Sequence, residues 1–375
     1  MIRPQGKEKV MLRKVLAVVI ASLAMLIIGG SSAHASGSGR SALSQENCTV
    51  ADGQAFIETG RYDRAIKEFS CIVDAQPTEV EGYRGLIEAQ VLLGRYSDAV
   101  RDYQRVTAFV FPVHPDAKDS ILAGYAARLN AAPQNVKALT GASFARWWFF
   151  DYASAIHLLN QLIVIEPNDV YPNLFRGSSR LLSGATKAKG VADIERAIAI
   201  APSNPHVRFI VADAYTYGIS DPDRAFAEAT LALASGLNTP RIRAILGAAY
   251  NLFGNLTAAA SEIGICIDLV TTELAPTAPI APDATMNLPL VPGRTYDIPV
   301  SANAGETISI ETSSRDFWDT ICVLIAPDGT PAIGADDVNA YFAAFDFVAT
   351  QTGTYHLKVT SFESVNTGQL VVKRN

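Results

Sequence analysis

Histidine is scarce in this sequence, and the residue arrangements that support catalysis are missing. Only five histidines occur among 375 residues, and one of them lies in the apolar N-terminal segment. None belongs to an H-E-x-x-H motif, and the chain contains neither a G-x-S-x-G nucleophile elbow nor a glycine-rich phosphate loop. His157 falls within a helical pattern and His356 within a strand pattern, which favours structural roles. We therefore predict no catalytic residue, no cofactor and no enzymatic activity.

A block of basic residues is also missing. The formal charge is −6, and residues 1–35 hold five basic residues against one acidic residue, so the chain without them has a net charge near −10. A net-acidic surface argues against nucleic acid and anionic lipid headgroups as partners.

Cysteine is rare as well, and its spacing excludes the common zinc patterns and C-x-x-C. The four cysteines are Cys48, Cys71, Cys266 and Cys322. Cys48 and Cys71 fall in one predicted helix pair, so they are the candidate disulfide. Cys266 and Cys322 occupy apolar positions of their patterns and are expected to be small buried side chains.

Long apolar runs are confined to the N-terminus. Arg13 and Lys14 precede an apolar stretch at 15–28, and Ala33-His34-Ala35 follows. This order is typical of a secretory signal peptide at 1–35, followed by a flexible segment at 36–45. The alternative is a membrane anchor, but the run is shorter than the ~20 residues that a spanning helix needs. The sequence thus predicts export to the periplasm, the cell surface or the medium, without a membrane span in the mature chain.

Between residues 46 and 273 the sequence repeats. Gly53, Phe56, Gly60, Tyr62, Ala65, Ile66, Phe69 and Pro77 have the spacing of small, aromatic and helix-ending residues in a helix hairpin. Similar patterns recur near residues 83, 139, 174, 209 and 246, the last containing LGAAY. Residues 116–132 predict one extra helix that interrupts the period.

These motifs resemble the tetratricopeptide repeat (TPR), which implies an all-α solenoid with a concave groove that captures a protein or peptide. In that family the first helix of each pair faces the groove through its second, fifth, ninth, twelfth and thirteenth positions. Carried over, the resemblance implies a partner-binding groove formed by Arg84, Glu88, Phe144, Trp147, Trp148, Phe175, Ser179, Tyr217 and Arg241. The run Trp147-Trp148-Phe149-Phe150 cannot face one seam in full, because adjacent helical residues point about 100° apart.

The pattern changes after residue 273. Residues 274–290 contain four prolines, which predicts an extended linker that lets the two halves move independently. From 291 to 375 the apolar residues alternate, as in Tyr296, Ile298 and Val300, and turn signals such as Pro327-Asp328-Gly329 separate about seven short runs. We expect an antiparallel β-sandwich, jelly-roll-like in type.

This C-terminal part resembles the bacterial pre-peptidase C-terminal domain. The resemblance rests on the D-x-x-x-x-L run at 319–324, the P-D-G turn, Asp336-Asp337 and T-G-T-Y at 352–355. Loop carboxylates such as Asp319, Asp336 and Asp337 are weak calcium candidates. The alternative is that these aspartates simply form turns by bonding their own backbone.

Three function classes remain in competition, and the least favoured of them is an enzyme with an unrecognised site. In the first, the chain is an exported scaffold that binds a protein or peptide in the solenoid groove. In the second, the sandwich binds a cell surface or glycan, with or without calcium, and the repeats act as a spacer.

Overall fold

The computed structural model describes residues 48–184, 186–314, 319–336, 342–362 and 368–375. Its N-terminal part is helical, so the predicted all-α repeat array is confirmed. The described helices are Val50–Glu58 (α1), Tyr62–Ala75 (α2), Val80–Leu92 (α3), Tyr96–Arg105 (α4), Ala117–Ala131 (α5), Val136–Trp148 (α6), Tyr152–Ile165 (α7), Val170–Leu182 (α8), Lys187–Ile200 (α9), Pro205–Ala214 (α10), Pro222–Ala234 (α11), Pro240–Leu252 (α12) and Leu256–Val270 (α13). Short π-helical segments, Val106–Val110 and Tyr215–Ile219, extend α4 and α10.

Most of the described α-helices begin at a residue whose side chain bonds one of the first backbone N–H groups. Thr49 accepts a hydrogen bond from the Asp52 N–H at 3.0 Å, and Asn135 accepts one from the Ala138 N–H at 3.0 Å. These caps compensate donors that have no partner within the helix. The predicted signal peptide and N-terminal segment lie outside the described residues.

Small residues set how closely the first helices pack. A Cβ atom on Gly85 would lie 2.1 Å from the Phe69 ring, and one on Gly53 would lie 2.6 Å from it. The α2 ring is therefore enclosed between α1 and α3, as the repeat pattern predicted for Gly53 and Phe69. Cys48 and Cys71 join the start of this hairpin to α2 through a disulfide, with 6.2 Å between the two Cα atoms.

The C-terminal part is a sandwich of two sheets, as expected. Its strands are Glu273–Pro276 (β1), Ala284–Leu290 (β2), Arg294–Ala302 (β3), Thr307–Ser314 (β4), Thr320–Ile325 (β5), Pro331–Asp336 (β6), Ala344–Val348 (β7), Gly353–Ser361 (β8) and Gly368–Arg374 (β9). The strand orders are β1-β3-β8-β5-β6 and β2-β9-β4-β7. All pairings are antiparallel except β1 with β3.

The segment at 274–290, which we expected to be an extended linker, instead contributes β1 and β2. Both are edge strands of their sheets. An edge strand tolerates proline because one side of its backbone has no partner strand that needs an N–H donor. Pro276 and Pro289 thus fit these strands, and proline density was a misleading signal here.

The expectation of independent halves is also wrong. Helix α13 packs on the outer face of the five-stranded sheet, where Ile263 and Ile267 meet Ile321 and Val323. Cys322 and Leu324, the alternating residues of β5, face the interior of the sandwich. The uninterrupted apolar run of β5 therefore reflects a strand buried on both faces. Cys266 lies buried at the helix–sheet contact and Cys322 in the sandwich, as predicted.

Candidate functional site

Most of the aromatic side chains predicted to line the groove are buried. Phe144, Trp147 and Phe175 belong to one cluster, in which the Phe175 ring lies 5.1 Å from that of Phe144 and 5.2 Å from that of Trp147. The Trp147 indole donates a hydrogen bond to Ser178 Oγ at 3.0 Å, and the Ser179 hydroxyl donates to the Phe175 carbonyl at 2.7 Å. These polar groups satisfy each other inside the array.

Two tyrosines of helix α4 contribute to this burial. The Tyr103 ring lies 5.7 Å from that of Phe144 and 5.3 Å from that of Trp148. The Tyr96 ring lies 5.2 Å from that of Phe175. The tyrosine rings of α4 therefore cover the side of α6 and α8 that the repeat pattern assigns to the groove.

The groove prediction needs a correction for five residues. Glu88, Phe144, Trp147, Phe175 and Ser179 are buried, so they do not contact a partner while α4 covers this face. Trp148 is half-buried. The repeat motif gives the direction in which a side chain leaves its helix, but it does not reveal which other helix lies over it.

The predicted charges at the N-terminal end form an ion-pair network. Glu88 accepts two hydrogen bonds from Arg128 at 2.9 and 2.7 Å, and Arg84 Nη1 lies 3.7 Å from Glu88. Glu58 lies 3.4 Å from Arg128 and 3.5 Å from Lys137. Positive charges here are matched by carboxylates of the same chain, which does not favour capture of a partner carboxylate.

A second group of residues, partly exposed, follows α6 and α10 and stands at the starts of α7 and α12. Arg241 Nε donates to Asp213 at 2.5 Å, and its guanidinium lies 4.8 Å from the centre of the Tyr217 ring. Burial raises the pKa of Tyr152, and the nearby charge of Asp213 raises it further. The Phe150 ring packs edge-on against Tyr152 at 6.2 Å. We call Phe150, Tyr152, Tyr217 and Arg241 the open surface; Asp213, which is only 5% exposed, lies behind it as the ion-pair partner of Arg241.

Phe150 has an unusual backbone conformation. Its φ is +61°, two residues beyond the end of α6. Glycine holds the equivalent position after four other first helices, with φ between +71° and +78°, at Gly60, Gly94, Gly184 and Gly254. A bulky side chain in the left-handed region is a rare outlier. The ring of Phe150 is nevertheless 55% exposed, so core packing does not account for it. Sequence inspection found the aromatic run but not this conformation, although the missing glycine was visible.

The weak calcium candidates do not form a complete site among the described residues. Asp319 and Asp336 both act on Cys266, where burial first and their charges second raise the thiol pKa. Asp337 lies outside the described residues. Within the described ranges no group of three His, Cys, Asp or Glu side chains is arranged to hold a metal ion. Asp328 accepts hydrogen bonds from the Thr330 N–H and from Gln351, so its carboxylate belongs to a turn.

Comparisons with solved structures return helical-repeat proteins and a pre-peptidase C-terminal domain. The chain is similar to a thermophilic TPR protein from Thermus thermophilus, with 19% identity, 56% of this chain and 100% of that chain covered, and a TM-score of 0.33. It is also similar to a TPR protein from Parabacteroides merdae, with 14% identity, 60% of this chain and 92% of that chain covered, and a TM-score of 0.38. A third similar structure is the pre-peptidase C-terminal domain of a Bacillus anthracis collagenase, with 16% identity, 27% of this chain and 94% of that chain covered, and a TM-score of 0.23.

Comparisons of the sequence alone match a smaller part of the chain. A family model described as bacterial transcriptional activator domain matches residues 39–110. No curated protein matches the sequence. Because the TM-scores lie below 0.5, the fold rests on the helices and sheets of this chain. In the part that the structure describes, no helix is long and apolar enough to cross a membrane.

Proposed function

We propose that this chain is an exported, non-enzymatic scaffold that binds a protein or peptide partner at its open surface. The observation that carries the proposal is the exposed, left-handed Phe150. A left-handed conformation costs about 1–2 kcal/mol for a residue with a side chain. Strain of this kind is maintained by the surrounding structure and clusters at functional sites.

The chemistry of the open surface suits a partner segment with apolar side chains. Phe150 and Tyr217 present rings that are 55% and 41% exposed, and Arg241 stacks on Tyr217. Tyr and Arg are enriched among the residues that dominate protein interfaces. Aromatic rings lose little conformational freedom on binding, and the half-buried guanidinium of Arg241 adds a charged group beside them.

The histidines support a non-enzymatic role. His206 Nδ1 lies 2.8 Å from the Ser97 hydroxyl, which is the arrangement of a nucleophile and a base. Ser97 is a residue of α4 that faces α10 and is only 7% exposed, which argues against access by a substrate. His157 bonds Gln161 within its own helix, and His356 bonds Asp297 on the neighbouring strand.

The proposed export is supported by the Cys48–Cys71 disulfide. Disulfides persist in oxidising compartments and are rare in the cytosol.

Site-specific crosslinking tests the partner surface. A photoreactive phenylalanine analogue is placed at position 150, 217, 164 or 348 of the full chain, expressed in the source organism. Val164 and Val348 are exposed controls on α7 and on the sandwich. We expect protein adducts from 150 and 217 only, identified by mass spectrometry. Adducts from 348 alone would move the function to the sandwich, and equal adducts from all four positions would contradict a defined surface.

A further inference from the structure

We propose that a cleft between the helical array and the sandwich binds a small organic cation, namely a primary amine on a short apolar chain or ring. This junction cleft lies where the turn between α12 and α13 meets strands β6 and β7, and its volume is about 210 Å³. Sites for drug-sized molecules have roughly 300–1,000 Å³, so the junction cleft suits a smaller molecule. Its lining residues are not those of the open surface, and this inference does not depend on partner binding there.

One side of the junction cleft is apolar. Leu256 of α13, Ile333 of β6 and Phe345 of β7 form this side. Phe345 is only 9% exposed and is held by the sandwich core, whereas Leu256 is 49% exposed. Leu252, the last residue of α12, lies just before the same turn and is 73% exposed. The rim therefore presents apolar surface to water, and covering such surface with an apolar ligand is favourable.

The polar lining of the junction cleft is negative. Asp336 is the last residue of β6, Asp346 lies in the middle of β7, and Asn251 is on α12. One carboxylate oxygen of Asp336 is shielded from solvent, where charges interact more strongly than in water. Among the described residues no lysine, arginine or histidine lines the cleft. A cation is therefore attracted to it, whereas a carboxylate or phosphate is repelled.

The two kinds of wall favour an organic cation over a metal ion. Calcium takes about 6–8 oxygen ligands, but one side of this cleft is hydrocarbon. A primary ammonium group carries three donors, which match the two carboxylates and the amide oxygen of Asn251. The apolar part of the same molecule can then cover Leu256 and Phe345. A short alkyl or aryl amine satisfies both walls at once.

Both halves of the molecule contribute to the junction cleft. Helices α12 and α13 line it from the array, and β6 and β7 line it from the sandwich. Gly334, which allows β6 to approach Ile263 of α13 closely, is also part of the lining. A ligand bound there contacts both halves and stabilises their docked arrangement in proportion to its occupancy. The concentration of the amine is thereby linked to docking of the sandwich on the array.

Fluorine NMR of para-fluorophenethylamine, added to the full native chain, is the test. The matched control is the alcohol of the same skeleton, in which a hydroxyl replaces the ammonium group. We expect saturable broadening of the amine signal with a dissociation constant on the order of 1 mM, as is usual for so small a ligand. The alcohol should bind at least ~10-fold more weakly, because it lacks the charge that the carboxylates attract. Neither measurement depends on the folding of a variant.

Variants of the chain locate the site. Asp346→Asn removes a carboxylate and Leu256→Ala removes part of the apolar wall, and each should weaken amine binding at least ~3-fold. Asp63→Asn, at an exposed aspartate of α2, is the matched control and should leave binding unchanged. Val323→Asp should abolish binding although Val323 does not line the cleft, because a buried carboxylate separates α13 from its sheet.

The proposal is overturned if the alcohol binds as tightly as the amine, or if Asp346→Asn binds the amine as the native chain does. Normal binding by Val323→Asp after its halves have separated would also refute the junction cleft. Displacement of the amine by millimolar calcium would assign the cleft to a metal ion. Tighter binding of N-acetyl-lysine methylamide would assign it to a lysine of a partner protein, and either result would replace the small amine as the occupant. Crosslinks at positions 150 and 217 report the open surface separately.

Discussion

At the scale of single residues, Phe150 separates a structural role from a binding role. Its backbone has the positive φ that favours glycine, whereas its ring is exposed and can contact a partner. A structural role would make the ring useful to the fold, and its replacement would destabilise the chain. If the ring serves binding, its replacement should not destabilise the chain but should weaken the affinity for the partner.

We expect Phe150→Gly to leave the free energy of unfolding unchanged or to raise it by up to about 1 kcal/mol, because relief of left-handed strain offsets the flexibility of glycine. The same change should weaken partner binding by about 2 kcal/mol, the range of an interface hot spot. Denaturant titration and a binding assay with the crosslinked partner measure both quantities.

Ser220→Gly is the matched control, since Ser220 also has a positive φ of +54° but carries no aromatic ring. It should change stability in the same direction and leave partner affinity unaltered. A large loss of stability in Phe150→Gly would assign the ring to the fold.

His206 provides a second test at this scale. Burial lowers its pKa; Asp98 opposes this change and Arg95 reinforces it. The folded state thus favours the neutral imidazole, and its contribution to stability is complete above the usual pKa of about 6.5. That contribution is lost as the pH falls through the lower folded-state value.

We therefore expect native stability to fall between pH 7.5 and 5.5 more than that of His206→Gln, which does not titrate there. Denaturant unfolding at several pH values gives the free energy of unfolding of both proteins. The contributions of other titrating groups cancel in the difference between the two. Parallel curves would show that His206 is not linked to folding.

At the scale of elements, the helix hairpins could be predicted from the sequence, whereas contacts between distant parts of the chain could not. Gly53, Phe69 and LGAAY specify helix hairpins because they act within one repeat or between neighbouring repeats. The burial of Phe144 and Phe175 depends on Tyr103 and Tyr96, which are 41 and 79 residues away in the chain. No periodicity encodes that contact. Pro276 and Pro289 led to the wrong prediction of a linker for a related reason. A strand tolerates proline when it lies at the edge of a sheet, and the sequence does not show which strands lie there.

The first hairpin offers an element-scale prediction. The Cys48–Cys71 disulfide closes a loop with a sequence separation of 23. In the chain-entropy model a loop of this size stabilises by about 3 kcal/mol, because the unfolded chain loses freedom. Cys48→Ser should lower the free energy of unfolding by that amount under oxidising conditions.

Reduction is the internal control for this change. With the disulfide reduced, the native chain and Cys48→Ser should have nearly equal stability. Peptide mapping of the exported protein without reductant should recover the Cys48–Cys71 pair. Two unmodified thiols at these positions would contradict the pairing in the native protein.

At the scale of the whole molecule, the sandwich serves as the end cap of the helical array. A solenoid must cover the apolar face of its last helix, which usually requires a polar capping element. Here Ile263, Cys266 and Ile267 of α13 are covered by Ile321, Val323 and Phe362 of the sandwich. Lys358 adds an ion pair to Asp268 at 3.1 Å. Gly334 permits the close approach, since a Cβ atom there would lie 3.0 Å from Ile263.

This arrangement predicts that the two halves behave as one body, which Val323→Asp tests. In an isolated sandwich the Val323 side chain would lie on the outer face of its sheet, where a carboxylate is tolerated. Docked against α13, the carboxylate is buried without a compensating charge, which is strongly unfavourable. We expect small-angle scattering of the native chain to give one compact distance distribution and that of Val323→Asp a broader one, with faster proteolysis near residues 271–283. Val348→Asp, on the exposed face of the other sheet, should leave the scattering unchanged. If Val323→Asp scatters as the native chain does, the halves are not held together by this contact.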